Sequence, residues 1–288
     1  MSLSIVIVTF KSDHIIDKLI KSIPEKYNIL VIENSLNKNL KKRLEEHFHN
    51  VQVYLPKENL GYSKGLNYGV KQAKTKYVLC LVADVIFERS TFLTIEEICN
   101  QILNFAIIAP TYRNENVYKN YIEKKDPKVD SLDVGKNKLL EVSEIDGAAF
   151  VINKSKFKSK IMDEKIFMYF ENIDMCFNTL RRGEKIYAIL NAKFDHLGLQ
   201  SSETKYSVEI KKNRNWHYCW SKFYFYKKNY NFFYALGKIW PNFFRSLSLF
   251  IKSQIKKDFE NSEYAKAELS GILNSIINKK SFYRPKIF

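Results

Sequence analysis

Two carboxylates three positions apart mark one segment of the sequence as a candidate catalytic site. Glu171 and Asp174 lie in the run Tyr169–Cys176. Apolar residues recur there at the spacing of one helical face: Ile173, Cys176, Phe177 and Leu180. A carboxylate within reach of a hydroxyl can act as a general base and take its proton. Acidic residues also stabilise helix N-termini, and taken alone the segment favours such a cap.

Asp84 is a candidate metal ligand. It follows the run Tyr77–Ala83, which is apolar enough to form a strand buried on both faces. An ionised carboxylate at the end of such a strand needs a partner, because burying the charge alone is costly. A divalent cation is one such partner, and a nearby Lys or Arg is the alternative. His196 follows a later strand pattern, Lys185–Phe194, where a lone histidine is most often a structural residue.

A glycine-punctuated segment, Asn59–Gly65, predicts a turn that leads into a helix ending near Ala73. Gly61 and Gly65 would let the backbone approach a ligand closely, and a helix N-terminus favours an anion. The spacing fits neither G-x-G-x-x-G nor a Walker A loop, so dinucleotide and P-loop chemistry are unsupported. A helix that uses small residues for close packing is the alternative interpretation.

Strand and helix patterns alternate over residues 1–204 and would position these side chains. Apolar runs predict strands at Ser4–Phe10, Asn28–Glu33, Val51–Tyr54, Lys76–Val82 and Ala106–Pro110. Helical patterns lie between them: after Ser12, over Asn39–Phe48, up to Ala73 and over Thr94–Leu103. This order predicts an α/β fold with a mostly parallel sheet and helices on both faces. Ligands bind at the carboxyl ends of such strands, where Thr9, Glu33 and Asp84 lie.

The last part of the chain has a different composition. Residues 205–288 contain 17 Lys and Arg against five Asp and Glu, so they carry +12 of the net charge of +16. Tyr206–Phe250 holds 16 aromatic residues. Lys238, Arg245 and Lys252 recur every seven residues, and Phe244, Leu247 and Ile251 form a second stripe. Pro241 is unfavourable inside one unbroken helix, which predicts two helices with a kink or turn there.

Three interpretations of this basic, aromatic region remain open. Basic amphipathic helices with Trp and Phe lie in the interface of anionic membranes, which predicts a peripheral membrane contact. The aromatics could instead form the core of an ordinary helical subdomain. Single-stranded nucleic acid could stack on them, but no RNP, KH or zinc signature supports that. No run of 18 apolar residues predicts a membrane span, and the four cysteines form no C-x-x-C pair.

Seven short motifs, taken in order, resemble those of the family-2 glycosyltransferases, in particular the bacterial rhamnosyltransferase-like subgroup. They are S-I-V-I-V-T-F, V-I-E-N-S, N-L-G-Y-S-K-G-L-N-Y-G, A-D-V, G-A-A-F-V-I, Y-F-E-N-I-D-M-C and D-H-L-G-L-Q-S. They run across residues 2–204, whereas the region that follows is similar in style only. The resemblance implies a GT-A fold over residues 1–204, a nucleotide-binding sheet joined to an acceptor-binding half, followed by a helical region over residues 205–288.

The resemblance also implies roles for individual residues. Nucleotide-sugar binding would involve Thr9, Phe10, Glu33, Asn59, Gly61, Gly65, Asn67 and Asp84. Asp84 matches the last acid of the family's D-x-D motif, and with His196 it would hold Mg²⁺ or Mn²⁺. Glu171 is the expected general base, with Asp174 as the second candidate.

Two positions depart from the family pattern. Val82 stands where the first acid of D-x-D is usual, which predicts weak or partial metal dependence. Asn172 stands where the second acid of an E-D pair often serves as the base. A catalytically silent protein that binds a sugar nucleotide or a glycan is therefore the alternative function.

The function implied by the resemblance is inverting transfer of a hexose, rhamnose-like, from a dTDP- or UDP-linked donor. The acceptor would be a glycan, expected to be lipid-linked, in cell-surface polysaccharide biosynthesis. Such an enzyme would lie in the cytoplasm on the inner face of the cell membrane and would bind no nucleic acid.

Overall fold

The computed structural model describes residues 3–101, 104–114, 118–124, 131–197 and 206–285. The chain divides into two compact units. Met1–Met162 and Asn172–Glu203 form the first, which we call the sheet unit. Asp163–Glu171 and Thr204–Phe288 form the second, the helical unit. The predicted boundary between residues 204 and 205 lies outside the described residues.

The strands of the sheet unit form one twisted sheet. They are β1 Leu3–Thr9, β2 Ile29–Glu33, β3 Val51–Tyr54, β4 Tyr77–Val82, β5 Val85–Phe87, β6 Ile107–Tyr112, β7 Tyr121–Glu123, β8 Ser131–Val134, β9 Asn137–Ile145, β10 Ala149–Asn153 and β11 Ile186–His196. The order is β3-β2-β1-β4-β10-β6-β11-β9-β7, with β5 paired to β11 and β8 to β9. The first four strands are parallel. Their carboxyl ends therefore meet at one edge of the sheet.

Helices cover both faces of this sheet, as the sequence predicts. They are α1 Ile16–Ser22, α2 Lys38–His47, α3 Gly61–Gln72, α4 Arg89–Gln101 and α5 Glu171–Arg181. Alternate residues of β1 point to opposite faces. Ile5 and Ile7 pack in one apolar cluster with residues of α1, α2 and α4, and Val6 and Val8 pack in another with residues of α3 and α5. The expectation of an α/β fold with a mostly parallel sheet is confirmed.

Two helices begin earlier than their sequence patterns predict. The helix α3 starts at Gly61, inside the segment expected to form a turn, because the Asn59 side chain accepts the Gly61 N–H at 2.9 Å. The helix α4 starts at Arg89 rather than Thr94. Its first turns include Phe92, which is fully buried against other rings. Local capping and tertiary packing thus extend both helices beyond the periodic pattern.

The helical unit contains three long helices in its described part: α6 Ser207–Asn229, α7 Phe232–Lys256 and α8 Phe259–Ile276. A small apolar core joins them, formed by Cys219, Phe223, Ala235, Ile239 and Ile272. Among the helices in the described ranges, none combines the length and the apolar composition that are needed to cross a membrane.

The predicted break at Pro241 is wrong. Pro241 lies inside the continuous helix α7. Contacts on both sides of it oppose a break: Ala235 and Ile239 lie in the apolar core before it, and Ser246 after it is buried and hydrogen-bonds Glu268 on α8. Tertiary packing therefore outweighs the hydrogen bond that the proline removes.

The segment Asp163–Glu171 belongs to the helical unit because it lies along α6. Ser221 donates a hydrogen bond to the Met168 carbonyl at 2.9 Å, and Phe167 stacks on the His217 ring. Lys228 forms an ion pair with Asp163 at 2.8 Å. The sequence pattern did not indicate this association, because the segment is far from α6 along the chain.

Candidate active site

The ends of β1 and β2 carry two buried polar side chains at paired positions. Thr9 and Glu33 are register partners in the parallel ladder. Both side chains are buried, and Oγ1 of Thr9 and Oε2 of Glu33 have no hydrogen-bond partner among the residues that the structure describes. Buried polar atoms are usually hydrogen-bonded, so such a pair is typical of a site that receives polar ligand atoms.

The other oxygen of Glu33 is fully used within the chain. Oε1 accepts the Ser35 backbone N–H at 2.7 Å and the Ser35 hydroxyl. Burial raises the pKa of the Glu33 carboxyl to about 7, although the bonds from Ser35 oppose the rise. The orientation of Glu33 is thus fixed by Ser35, and one acceptor oxygen is left for a ligand.

The loop before α3 is held against the end of β2. The Asn34 side chain donates to the Gly61 carbonyl at 3.1 Å and accepts the Leu60 N–H at 3.2 Å. Gly61 has a φ of 72°, a left-handed conformation that glycine adopts without strain. Asn34 directly follows Glu33 in the chain. Its two hydrogen bonds therefore hold the loop that contains Asn59 and Gly61 close to Glu33.

The later small residues of α3 serve packing. A Cβ on Gly69 would lie 2.4 Å from Cγ1 of Val6, and Gly65 one turn earlier faces Val8 and Asn34. Asn67 holds a distant loop: its amide donates to the Met162 carbonyl at 2.9 Å, and its oxygen accepts the Met162 N–H at 3.1 Å. The packing interpretation of this helix therefore accounts for Gly65 and Gly69. Their closeness to Val8 and Val6 explains why glycine stands there.

Phe10 lies half-buried at the turn after β1. The next residue, Lys11, has a φ of 54°, and its N–H is bonded to Oγ of Ser35 at 3.1 Å. This bond joins the turns that follow β1 and β2. It brings Phe10 to the same edge of the sheet as Thr9 and Glu33.

Asp84 and His196 come together where β4 gives way to β5. The last residue of β11, His196, pairs with Val85 of β5, and the Leu197 N–H donates to the Asp84 carbonyl at 2.9 Å. Oδ1 of Asp84 lies 3.5 Å from Nε2 of His196. Asp84 is 3% exposed and the His196 side chain 29% exposed, so the pair faces solvent on the histidine side.

A tyrosine and a second aspartate extend this pair. Nδ1 of His196 lies 2.8 Å from the Tyr112 hydroxyl, which also donates to Oδ2 of Asp146. Oδ1 of Asp146 accepts the Ala148 N–H at 3.0 Å. Because the Tyr112 hydroxyl donates its proton to the hydrogen bond with Asp146, its oxygen can accept a hydrogen bond from the Nδ1–H of His196. The ring of His196 is thereby oriented with Nε2 toward Asp84.

Burial and charge act against each other in this cluster. Burial lowers the pKa of His196, but the hydrogen bond and charge of Asp84 and the charge of Asp146 outweigh it, so the pKa is raised overall. Burial also raises the pKa of the Asp146 carboxyl, against the bonds from Tyr112 and Ala148. Burial and the neighbouring carboxylates raise the pKa of the Tyr112 phenol.

The pair of Asp84 and His196 fits a divalent cation that is shared with a phosphate ligand. A carboxylate oxygen and an imidazole nitrogen face each other, and both suit Mn²⁺. Within the ranges described, no three side chains of His, Cys, Asp and Glu are grouped so as to hold a metal ion. Mg²⁺ sites commonly combine one or two carboxylates with substrate phosphates and water, so two protein ligands are sufficient for this class.

Glu171 lies at the first position of α5 and is buried. Burial raises the pKa of its carboxyl to about 7, with only a backbone hydrogen bond opposing the rise. Its Oε2 has no hydrogen-bond partner within the part of the chain that is described. A buried carboxylate with a pKa near neutrality and one uncommitted oxygen has the properties of a general base.

The two residues that follow differ from Glu171. The Asn172 amide donates to the Ile145 carbonyl at 2.8 Å, so this departure from the family pattern holds α5 to the end of β9. Asp174 is 2% exposed and belongs to the sheet unit, whereas Glu171 belongs to the helical unit. In Glu171 the oxygen Oε2 has no hydrogen-bond partner among the described residues, so it is available as an acceptor.

Sequence reasoning missed Tyr112, Asp146 and the contacts of Asn34. The signal for Asp146 was its place directly before the G-A-A-F motif, and Asn34 lies inside the V-I-E-N-S motif. Tyr112 ends a buried strand as Asp84 does, but a tyrosine at that position has no charge to mark it. These residues act through the orientation of their neighbours, which a sequence pattern does not display.

Comparison with known proteins identifies relatives of this chain. The profile of glycosyl transferase family 2 matches residues 4–159. The low-salt glycan biosynthesis hexosyltransferase Agl10 of Haloferax volcanii is 26% identical over 226 residues, which cover 71% of this chain and 72% of that protein.

Solved structures share the fold at low sequence identity. The mannosyltransferase PcManGT from Pyrobaculum calidifontis, in complex with GDP-Man and Mn²⁺, aligns with a TM-score of 0.57 at 10% identity over 97% of this chain and 88% of that one. TarS 1–349 from S. aureus in complex with UDP aligns with a TM-score of 0.52 at 12% identity over 100% and 94%. The family profile covers more than half of the chain, and the strand ends that it includes carry the buried polar residues described above. The chain therefore belongs to glycosyl transferase family 2 and is a glycosyltransferase of the GT-A fold.

Proposed function

We propose that the protein transfers a hexose, rhamnose-like, from a dTDP- or UDP-linked donor to a lipid-linked glycan acceptor with inversion, in the synthesis of a cell-surface polysaccharide. The observation that carries this proposal concerns three of the nine buried side-chain atoms that have no hydrogen-bond partner in the described chain: Oγ1 of Thr9, Oε2 of Glu33 and Oε2 of Glu171. Each belongs to a residue to which the family resemblance gives a role. Each needs a polar partner, and the substrates offer them.

Thr9 and Glu33 suit the nucleoside. Uracil and thymine present an N–H donor, and the sugar of the nucleoside presents hydroxyls, which match the acceptor oxygens at the ends of β1 and β2. The UDP bound by TarS and the GDP-Man bound by PcManGT are nucleotide ligands of proteins with this fold. These similarities support a nucleotide-linked donor.

Asp84 and His196 would hold Mn²⁺ or Mg²⁺ at the diphosphate. Such an ion supplies Lewis-acid stabilisation for the negative charge of a leaving nucleoside diphosphate. Tyr112 and Asp146 would keep Nε2 of His196 in position for this role. The Mn²⁺ of PcManGT supports a divalent ion in this chain. Val82, in place of a further acid, leaves Asp84 as the single carboxylate ligand of the motif.

Glu171 would take the proton of the acceptor hydroxyl. A neutral hydroxyl is a weak nucleophile, and a positioned base contributes about 10²–10⁴-fold to such a transfer. A base on the acceptor, with no covalent enzyme intermediate, is the arrangement for inversion. Asp174 is the second candidate for this role.

Binding of nucleotides tests the proposal first. A thermal-shift screen should show stabilisation by a UDP- or dTDP-sugar, increased by Mn²⁺, because ligand binding to the folded state raises its melting temperature. Thr9→Val and Glu33→Gln should reduce the shift, and the exposed-site variant Glu58→Gln should not. Equal shifts in all four proteins would exclude the assigned nucleoside site.

Turnover separates the enzyme from a silent binding protein. Val82 and Asn172 depart from the family pattern and motivate the silent alternative. Release of the radiolabelled sugar from its nucleotide, without an added acceptor, requires a working catalytic site. Binding without any hydrolysis or transfer, over a panel of donors and metals, would favour the silent protein.

We also propose that the protein lies at the cytoplasmic face of the membrane, and one face of α7 supports the membrane contact itself. Five apolar side chains at helical spacing are each more than half exposed: Phe233, Trp240, Phe244, Ile251 and Ile255. Lys238, Arg245 and Lys252 are also exposed and form an adjacent stripe. An exposed apolar stripe beside basic residues is typical of helices that lie in the interface of an anionic membrane. This location suits a lipid-linked acceptor.

A further inference from the structure

The helical unit carries a row of aromatic rings that begins beside Glu171. Tyr218 of α6 lies with its ring centroid 5.6 Å from that of Phe170, the residue that precedes Glu171. Phe170 also lies 6.2 Å from Tyr226. Tyr226 in turn lies 5.7 Å from Tyr234, which stacks on Tyr230 at 4.6 Å. We call these four tyrosines, 218, 226, 230 and 234, the tyrosine strip.

The strip is open to solvent along much of its length. Tyr218, Tyr230 and Tyr234 are 40%, 50% and 41% exposed, and Tyr226 is half-buried. Aromatic rings are usually buried, because each removes a large apolar area from water on folding. Tyr218 is joined to the other three tyrosines through Phe170, which is itself buried, whereas Tyr230 and Tyr234 stack directly on each other. Exposed tyrosines grouped in this way indicate a surface that binds something.

The chemistry of the strip differs from that of the α7 apolar face. The α7 face consists of Phe, Trp and Ile, which suit hydrocarbon. Tyrosine combines an apolar ring with a hydroxyl, so it suits a ligand that is itself apolar on one face and polar at its rim. A pyranose ring is such a ligand, because its C–H groups cover one face and its hydroxyls surround the edge.

The backbone at the start of the row is held in an unusual conformation. Tyr169 and Phe170 have φ values of 63° and 66°, in the left-handed region that non-glycine residues rarely adopt. Such a conformation costs energy and persists only where contacts fix it. The Met168 carbonyl accepts a hydrogen bond from Ser221, and both strained residues contact Tyr218. The same contacts that fix the position of Glu171 thus fix the first ring of the strip.

A cation lies at the other end. Nζ of Lys238 is 5.2 Å from the ring centroid of Tyr234 and 5.7 Å from that of Tyr226. The ammonium group is solvent-exposed and borders the row, where it can pair with an anionic group. A phosphate that links a saccharide to a lipid has the required charge.

We propose that the tyrosine strip binds the saccharide of the acceptor, with pyranose rings packed against the exposed parts of the Tyr218 and Tyr234 rings, and thereby presents a hydroxyl at Glu171. This inference rests on the proposed function, because it assigns the acceptor to the same transfer reaction. It assigns to Tyr218 and Tyr234 a binding role in which the aromatic ring is essential and the hydroxyl contributes less.

The direct test measures saccharide binding without any nucleotide. The probes are octyl glycosides of glucose, galactose, mannose and N-acetylglucosamine, below their micelle concentration, in saturation-transfer NMR with irradiation of the aromatic protons. At least one probe should receive saturation at its ring C–H protons. Tyr218→Ala and Tyr234→Ala should each weaken binding fivefold or more, whereas Tyr218→Phe and Tyr234→Phe should retain most of it.

Controls and kinetics keep the test decisive. Phe259→Ala removes an exposed aromatic ring of α8 outside the strip and should bind the glycosides like the wild type. In transfer assays the alanine variants should raise KM for the acceptor at least fivefold, whereas Tyr218→Phe and Tyr234→Phe, which keep the rings, should have a KM close to that of the wild type. If no glycoside receives saturation, or if the alanine variants bind and transfer like the wild type, the proposal that the tyrosine strip binds the acceptor saccharide is wrong. Absence of nucleotide-sugar binding in the wild type would instead overturn the proposed function.

Discussion

The sheet unit buries polar atoms and the helical unit exposes apolar ones. At the strand ends, Thr9 and Glu33 hold oxygens that lack partners in the described chain, and Asp84 is almost fully buried beside His196. On α7, large apolar side chains such as Phe233 and Ile255 lie in solvent. Both arrangements are unfavourable in the protein by itself, and each becomes favourable with a different kind of partner.

This difference indicates the kind of partner that suits each unit. A buried oxygen without a partner is satisfied by a small polar ligand that enters and donates a hydrogen bond. An exposed apolar helix face is satisfied only by an extended apolar surface. Glu171 belongs to the helical unit but carries a partnerless buried oxygen like those of the strand ends. This oxygen therefore needs a small hydrogen-bond donor, such as the hydroxyl of the proposed acceptor.

The largest effect is expected at Asp84. Asp84→Ala removes the carboxylate that would hold the metal, and activity should fall to background, by about 10³-fold or more. The protein should remain folded, because the substitution also removes the cost of a buried charge. Circular dichroism and a transfer assay across a Mn²⁺ titration check this. The exposed-site variant Asp133→Ala is the matched control. Near wild-type turnover in Asp84→Ala would mean that the sheet unit does not use a metal at this position.

Variants of His196 and of its partner Tyr112 test the same metal site. His196→Ala leaves Asp84 in place, so we expect a smaller loss that excess Mn²⁺ partly restores. Tyr112→Phe keeps the ring of residue 112 but removes the hydroxyl bonded to Nδ1 of His196. It should weaken Mn²⁺ binding measured by electron paramagnetic resonance, with a smaller effect than His196→Ala.

The next effect is expected at Glu171, the general base. Glu171→Gln should reduce transfer by about 10²–10⁴-fold and leave nucleotide-sugar affinity nearly unchanged. Because the pKa of Glu171 is raised to about 7, the wild-type rate should fall about tenfold per pH unit below pH 7 and level off above it. In Glu171→Gln the remaining rate should not show this fall below pH 7, which we call the acid limb of the pH–rate profile. If the acid limb of the pH–rate profile is absent in Asp174→Asn and present in Glu171→Gln, Asp174 is the base.

The sheet unit and the helical character of the region after residue 205 were largely predictable from sequence, whereas the packing of the helical unit was not. Strand ends can be located because apolar runs stop at them, so Thr9, Glu33 and Asp84 were marked by position alone. The fold followed from the alternating order of strands and helices. The helix α7 was predicted to break because a single proline was weighed against local pattern, while the contacts that hold it, such as Ser246 with Glu268, come from a distant helix. The association of Met168 with α6 depends on the same kind of long-range contact.

A moderate effect is expected for membrane binding by α7. The protein should sediment with vesicles that contain phosphatidylglycerol and not with pure phosphatidylcholine at low salt. Lys252→Glu with Lys256→Glu should weaken this binding tenfold or more, because each basic residue near an anionic surface contributes about 1 kcal/mol. Arg245 is retained in this variant because its guanidinium lies 2.9 Å from Glu268.

The charge and the apolar face can be separated in the same assay. Lys279→Glu with Lys280→Glu changes the charge equally at exposed positions outside α7 and serves as the control. Salt should release part of the bound protein, because exposed charges are screened within about 8–10 Å. Phe244→Ser should remove the part that resists salt. Binding to both vesicle types alike, or to neither, would leave the aromatic residues of α7 as a subdomain surface without a membrane role.

The smallest effect concerns the stability of the sheet unit and its dependence on pH. The pKa of Glu33 is about 7 in the folded protein, above its ordinary value near 4.5, so the folded state holds the proton more tightly than the unfolded state. Stability should therefore fall as the pH rises from about 4.5 to 7 and stay level above that. Glu33→Gln cannot ionise, so it should match the wild type near pH 4 and exceed it at pH 8. The gain has an upper bound of about 3 kcal/mol, a rise of several degrees in melting temperature. If the glutamine variant is less stable than the wild type at pH 8, Glu33 holds the turn at Ser35 as an ion, and the oxygen assigned to the nucleoside is needed by the fold itself.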